Sequence, residues 1–462
     1  MFKKSGKKST KQKTTKETSD PNKKCSEEFT GIQNKGATCY LNALLQTLYM
    51  SNEVKDAVIR LKNRTKANKK AKQMSIAYQL AVLFEELENK RTGNTNKITE
   101  VLGINVTKQQ DVAEHFQQIL NKLAEDRNSH NILQIYQSKL INFLTCSECK
   151  TEFLEKCQLL VIPLPVHLND CGNSIQSVNA ALQDFFKTVI LDGDNLCYCD
   201  TCQKKTKATM RYRCEILPQI LVLQLKRFEF DYSMKSFKKL HNKVEIPQRL
   251  KFQKNEKVGE PEWIPYSTSE ESSKALRKQQ SSSGAESGKR SKSKEVEEKQ
   301  NLQLDGSQRI FTTYKLFATC DHKGEFGFGH YVAHIRPDTS NKWYNFNDTY
   351  VSEVENFFPE VRQNNTESMP CRRSSEAYLL MYRKENMNSN QDVTNAEEGA
   401  ERIKAQRLHD GKSNYQTETN DRRKMAECEK TEENQMEDLP RKRHKNSIFS
   451  CFSGLNDESE IN

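Results

Sequence analysis

The chain has 462 residues, 73 Lys and Arg against 62 Asp and Glu, a net charge of +11 and only 35% hydrophobic residues. A packed globule of this size carries about 45–50% apolar residues, so part of the chain is expected to be solvated, leaving roughly 300–350 residues for one large domain or two ordinary ones. No apolar run reaches the roughly 20 residues that cross a bilayer, and Met1 to Lys8 has no apolar segment behind its charges, so neither a transmembrane segment nor a secretory signal is expected. The 14 cysteines then read as reduced, catalytic or metal-bound thiols of a cytoplasmic or nuclear protein.

Residues 1–24 hold nine lysines and two acids, which predicts a disordered basic head to about residue 28. Next comes Gly31-Ile32-Gln33-Asn34-Lys35-Gly36-Ala37-Thr38-Cys39-Tyr40-Leu41-Asn42, a glycine-bearing turn running into the apolar repeat Leu41, Leu44, Leu45, Leu48. That pattern sets Cys39 at a helix N-terminus, where unpaired N–H groups and the helix dipole favour thiolate over thiol. The same N–H groups, with a side-chain amide such as Asn34, could stabilise an oxyanion. A cysteine that opens a helix is, taken alone, more often a buried packing residue; the run around it makes the difference.

Two further helical faces follow, Ile76-Leu80-Leu83-Phe84-Leu87 and Val112-Phe116-Ile119-Leu120-Leu123. After residue 132 the pattern turns to short strands, among them Leu159–Pro163, Ile220–Phe230, Tyr314–Thr319, His330–Arg336 and Ala377–Arg383. Helices first and mostly antiparallel strands afterwards make the fold class α+β. Within the strand region lie two Cys-x-x-Cys pairs, Cys146/Cys149 and Cys199/Cys202. Four thiolates in two such pairs suit one tetrahedral, structural zinc ion with no open position for chemistry. Cys197 could stand in for Cys199 in a looser site. From about 253 to 308 the chain is Ser, Lys, Glu and Gln with ten bases and ten acids, which reads as a flexible insert. Residues 385–462 carry 12 bases and 17 acids and read as a disordered charged tail.

The run from Gly31 to Asn42 resembles the cysteine box of the ubiquitin-specific proteases, papain-like deubiquitinases, with swaps only at Ile32 and Ala37. The resemblance implies a histidine far downstream inside Gly-His-Tyr, and Gly329-His330-Tyr331 supplies it; Trp343 to Asp348 supplies the third member, Asn347. His330 would take the Cys39 proton and later protonate the leaving amine, while Asn347 would accept from the other ring nitrogen and hold the ring in place. The adjacent Asp348 could assist. Gln109-Gln110-Asp111-Val112-Ala113-Glu114 and Leu225-Lys226-Arg227-Phe228 match two further boxes in order, and Tyr198 before Cys199 fits the form of the family's zinc pair.

The resemblance spans about 29–384 and implies a helical thumb, a β palm and zinc-bearing β fingers. It implies ubiquitin and ubiquitylated proteins as partners. Asp111 and Glu114 would then face the basic ubiquitin tail from one helical turn, although Glu114 could equally be a solvated face residue. Phe228 and Tyr331 would wall a channel that passes only two glycines, with a core role for Phe228 equally open. A monomer that contacts no specific nucleic acid is expected. Two competitors stand beside this reading. One is a silent ubiquitin-binding scaffold, against which the intact Cys39, His330, Asn347 and Asn34 speak. The other is a zinc-dependent nucleic-acid binder, against which the lack of interleaved aromatics in the basic head speaks.

Overall fold

In a computed structural model of the chain the described residues are 28–64, 69–125, 130–167, 174–255, 262–266, 310–359 and 370–385. The expected basic head and charged tail lie outside them except for Glu28 and Glu385, as does most of the expected insert. The helical part comes first: α1 (Cys39–Tyr49), α2 (Asn52–Arg64), α3 (Lys69–Met74), α4 (Ile76–Glu88), α5 (Asn96–Leu102), α6 (Val112–Ala124) and α7 (His130–Tyr136). The apolar faces expected at 41–48, 76–87 and 112–123 are buried in α1, α4 and α6. Ser75 and Asp111 start α4 and α6 by accepting from backbone N–H groups that would otherwise lack partners.

The strands follow, as β1 (Ser138–Cys146), β2 (Glu152–Leu159) and β3 (Ile162–Pro165), then helix α8 (Val178–Phe186). After it come β4 (Val189–Leu191), β5 (Cys197–Cys199), β6 (Lys204–Thr206), β7 (Ala208–Ile216), β8 (Ile220–Lys226), β9 (Phe228–Asp231), β10 (Ser236–Lys239) and β11 (Val244–Pro247). The last group is β12 (Arg249–Asn255), β13 (Glu262–Pro265), β14 (Phe311–Lys323), β15 (His330–Ile335), β16 (Trp343–Asn347), β17 (Tyr350–Val354), β18 (Cys371–Ser374) and β19 (Ala377–Lys384). Thirteen of these strands form one sheet along the path β17-β16-β15-β14-β12-β13-β7-β1-β2, with β19 beside β14 and β8 beside β19. Its pairings are antiparallel except that of β3 with β8.

The middle of this sheet is covered on both faces, so its strands are apolar throughout and do not alternate with polar residues. Along β8, Ile220 and Val222 join the core shared with α1, α2, α4 and α6, whereas Leu221 and Leu223 join the core shared with α8 and β11. Along β19, Leu379 and Met381 face the first core and Leu380 and Tyr382 the second. The far end of the sheet, where β1, β2 and β7 run on past this double cover, has only Leu144, Ala208 and Met210 as a third, small core.

Three expected elements differ. The strand expected over Leu159–Pro163 is interrupted at Leu160 and Val161, between β2 and β3. The run expected over Ile220–Phe230 breaks at Arg227, whose side chain is wholly buried and donates to the carbonyl oxygens of Ala377, Leu240, Asn242 and Ser374. Burial pulls that guanidinium down to about 10, still charged at neutral pH. Finally, residues 253–255 and 262–265, expected within the insert, are strand: Phe252 to Asn255 pairs with Glu262 to Pro265, and Trp263 packs on the second core. The polar composition around Trp263 hid one apolar anchor.

Candidate active site and metal centre

Cys39 is the first residue of α1 and is 4% exposed. The turn before it is built around Asn34, whose Oδ1 accepts from Gly36 N at 3.0 Å, Thr38 N at 3.3 Å and Thr38 Oγ1 at 3.2 Å. Gly36 has φ +138°, and a Cβ there would lie 2.7 Å from the Val106 carbonyl oxygen, so the turn admits only glycine. That carbonyl accepts from Ala37 N at 2.7 Å, which ties the box to the segment entering α6.

From the sheet side, β15 begins at His330 and β16 ends at Asn347. His330 Nε2 donates to Asn347 Oδ1 at 2.6 Å, and the imidazole stands beside Cys39, near enough to feel its sulfur. Cys39 is the largest influence on the ring; with Asn347 it outweighs burial and pushes the His330 pKa up from 6.5 to about 9. The backbone N–H of Tyr331 lies 3.4 Å from Cys39 Sγ, and the side-chain amide of Gln109 3.7 Å. Cys39, His330 and Asn347 therefore stand together at the join of helices and sheet, with His330 bonded to Asn347 and set beside Cys39. This arrangement can generate a sulfur nucleophile with a proton held on the neighbouring imidazole.

The other sequence-predicted residues fall less simply. Asp348 is not a spare for Asn347. Its Oδ2 accepts from Asn34 Nδ2 at 2.9 Å and its Oδ1 from Asn42 Nδ2 at 2.7 Å, while its carbonyl accepts from Ile32 N at 2.8 Å. Asn34 thus has one amide hydrogen committed to Asp348. Asp111, expected to face a basic tail, spends Oδ1 on Ala113 N and Glu114 N as the cap of α6, and Oδ2 accepts from the Tyr378 hydroxyl. Glu114 is exposed. Tyr331 is not a channel wall: its ring is 2% exposed and packs on His322 at 4.6 Å, because β15 turns that side chain into the core and leaves only its N–H facing Cys39. Phe228 is half-buried, set edge-on to His322 and Phe326 at 5.1 and 5.3 Å, part core and part rim.

Sequence reasoning missed the polar residues that hold the loop entering β15. Lys239 is buried and donates to the carbonyls of His322 at 2.5 Å and Gly324 at 3.0 Å. His322 itself is driven by burial, helped by Lys239 and His330, down to about 3, so it is a neutral packing group. Gln109 was named only as part of a box; a polar residue two positions before a helix cap was its one visible signal.

At the small third core, the Sγ atoms of Cys146, Cys149, Cys199 and Cys202 all lie within 4.8 Å of one another. Cys146 and Cys202 are 3.9 Å apart and Cys149 and Cys199 3.6 Å. A zinc tetrahedron with Zn–S of about 2.3 Å has edges of about 3.8 Å. Lys150 and Gln203, each directly after the second cysteine of its pair, have φ of +63° and +53°, so both pairs turn the same way. Thr206 Oγ1 sits 3.2 Å from Cys146 Sγ and pulls that thiol down to about 6, whereas its sulfur neighbours push Cys202 up to about 12. Four sulfurs this close ionise together only around a cation, and the set fits zinc. Cys197 is left out, its thiol directed to the Asn195 carbonyl at 3.8 Å. Replacing Cys199 with serine is expected to lose the zinc and loosen this end of the sheet; replacing Cys197 is expected to keep it. Zinc content by mass spectrometry of the native protein reads the difference.

A family model described as ubiquitin carboxyl-terminal hydrolase matches residues 30–382. Ubiquitin carboxyl-terminal hydrolase 47 of Homo sapiens is 30% identical over 403 residues, which cover 81% of this chain and 29% of that protein. Ubiquitin carboxyl-terminal hydrolase 48 of Danio rerio is 27% identical, covering 80% and 33%. The chain thus spans under a third of the length of the first relative. Among solved structures, the SAGA Ubp8/Sgf11/Sus1/Sgf73 DUB module bound to ubiquitin aldehyde shares the fold, with TM-score 0.52 and 21% identity over 78% of this chain and 70% of that one. With a match running through every box from the cysteine turn to β19, the chain belongs to the ubiquitin carboxyl-terminal hydrolase family, as a ubiquitin-specific protease.

Proposed function

We propose that the chain is a thiol-dependent deubiquitinase that hydrolyses the peptide or isopeptide bond after the C-terminal glycine of ubiquitin. The observation that carries the reading is the placing of Cys39 beside His330, whose ring is bonded to Asn347, on a chain of this family. The Cys39 sulfur attacks the glycine carbonyl carbon and forms the C–S bond. The C–N bond then breaks as His330 gives its proton to the departing lysine amine. His330 next takes a proton from water; the hydroxide attacks the thioester, the C–S bond breaks, and the ubiquitin carboxylate leaves. The sulfur is again paired with a protonated His330. The oxyanion formed in each step would meet N–H groups at the start of α1 and the second amide hydrogen of Asn34.

Asn34 reaches that role through Asp348, which holds its amide. For the ubiquitin tail, exposed Glu114 is the carboxylate left to pair with arginine. Zinc held by the four cysteines would supply stability to the β1–β2 and β5–β6 hairpins and take no part in the chemistry. The free catalytic thiol implies a reducing compartment, cytoplasm or nucleus.

A ubiquitin probe with a thiol-reactive C-terminus tests the reading. Wild-type protein is expected to form a covalent adduct and Cys39→Ala none. A wild-type protein that binds ubiquitin but never labels would make the chain a silent binder.

A further inference from the structure

Gln109 lies in the segment entering α6, on the helical side of the site, yet its side chain is bonded to the strand side. Its Oε1 accepts from Gly329 N at 3.0 Å and its Nε2 donates to Gly329 O at 2.9 Å, so one amide clamps both polar atoms of the residue before His330. The same Nε2 lies 3.7 Å from Cys39 Sγ. An amide nitrogen carries two hydrogens, and this geometry engages one with Gly329 and the other with sulfur. Gly329 is fixed from its opposite side too: a Cβ there would fall 2.0 Å from His322 Nε2 and 2.5 Å from the Lys323 carbonyl oxygen. Before it the loop is exposed from Lys323 to Phe328, so Gly329 is where an exposed segment is gripped as it enters the strand.

We infer that Gln109 is a further residue of the active site, clamping Gly329 so that His330 stays in register with Cys39 and donating its remaining N–H to the sulfur. Asn34, the donor expected from the sequence, has one amide hydrogen committed to Asp348; Gln109 and the Tyr331 N–H are the donors that reach Cys39 Sγ. A carboxamide suits both tasks because it offers an acceptor and two donors in one plane. Asparagine is one methylene too short to span the same gap, and glutamate keeps the acceptor for Gly329 N–H while losing both donors.

This inference rests on the reading of Cys39 as the nucleophile, and its test includes an arm that needs no ubiquitin. The first arm follows alkylation of Cys39 by iodoacetamide at about pH 6, by mass spectrometry of the Cys39 peptide, where reactivity depends on the sulfur–imidazole pair. Gln109→Ala and Gln109→Glu are each expected to slow it about tenfold. The titratable groups that face the sulfur, Tyr40 of α1 and His330 and Tyr331 of β15, are unchanged by these substitutions. The second arm uses ubiquitin carrying a fluorogenic C-terminal amide. Gln109→Ala is expected to lower kcat about tenfold with KM nearly unchanged. The alkaline limb of kcat/KM should move from about 9 toward 6.5 as His330 drifts from its place beside Cys39.

Zinc content and melting temperature accompany both arms, and the near-isosteric Gln109→Glu serves where the alanine variant folds poorly. Alkylation at the wild-type rate in a folded Gln109→Ala protein would overturn the inference, and so would a change in KM alone. Full alkylation in Gln109→Glu would overturn the donor role. A wild-type protein that alkylates readily but never turns over ubiquitin would sink the proposed activity instead.

Discussion

Replacing His330 with alanine is expected to lower kcat by about 10³–10⁴-fold with little change in KM, read with a fluorogenic ubiquitin amide. The loss is this large because one ring does two jobs, holding the proton of Cys39 and delivering it to the leaving amine. Among the described residues, neither His322 nor His334 is placed to take over. His322 stays neutral down to about 3, and His334 Nδ1 lies 3.4 Å from the buried Asp321. Burial alone would raise the Asp321 carboxyl; Arg372 and His334 hold it low, so that pair is structural.

The same geometry sets the pH profile. Cys39 beside it raises the histidine to about 9, so activity should persist well above an ordinary histidine's range and fall as pH rises through about 9. The raised value means that the pairing stabilises the fold fully below about 6.5, the unfolded value, and that this contribution is lost as pH rises through 9. A variant keeping a tenth or more of wild-type kcat, or an alkaline limb near 6.5 in the wild type, would move the base role off His330.

The second large effect is expected at Asp348. Its carboxylate is the only link described between the Asn34 amide, the Asn42 amide of α1 and the turn that carries Asn347. Removing it as Asp348→Ala frees the oxyanion-side amide and leaves the buried Asn42 amide only its longer bond to the Ile32 carbonyl, at 3.4 Å. A fall in kcat of about 10²–10³-fold is expected. Asn347→Ala should cost less, about 10–100-fold, since β15 and the Cys39 contact still hold the ring. Its residual activity is not a rescue by Asp348, whose two oxygens are taken. The ranking is checked by kcat for both variants with melting temperatures measured alongside. Greater loss in Asn347→Ala than in Asp348→Ala would reverse the roles.

The candidate site was legible in the sequence wherever chemistry and local spacing coincide. Cys39 opening a leucine-spaced helix, Gly-His-Tyr, and two Cys-x-x-Cys pairs each mark their position within a few residues. What stayed hidden depends on contacts between distant segments. Asp111 reads as a free carboxylate until Tyr378, 267 residues away, is seen donating to it. Tyr331 reads as a wall until the register of β15 shows which way its ring points. Helix α2 escaped notice because Val54, Val58 and Leu61 are separated by charges, although all three are buried. The strands β2 and β5–β6 escaped because their third core is too small to write an apolar pattern. Zinc stands there in place of hydrophobic burial.

The wide separation of the catalytic groups along the chain has a consequence for synthesis. Cys39 comes near the start, whereas its partners His330 and Asn347, and the Asp348 that holds Asn34 from 314 residues away, come almost 300 residues later. At about 5–20 residues per second, the ribosome needs about 15–60 s to carry the chain from the nucleophile to its base. During that interval the cysteine has been made but its imidazole partner has not, so a chain stalled before β15 holds Cys39 without the ring that stands beside it. The site is thus assembled late and all at once, when β15 and β16 come to lie against α1.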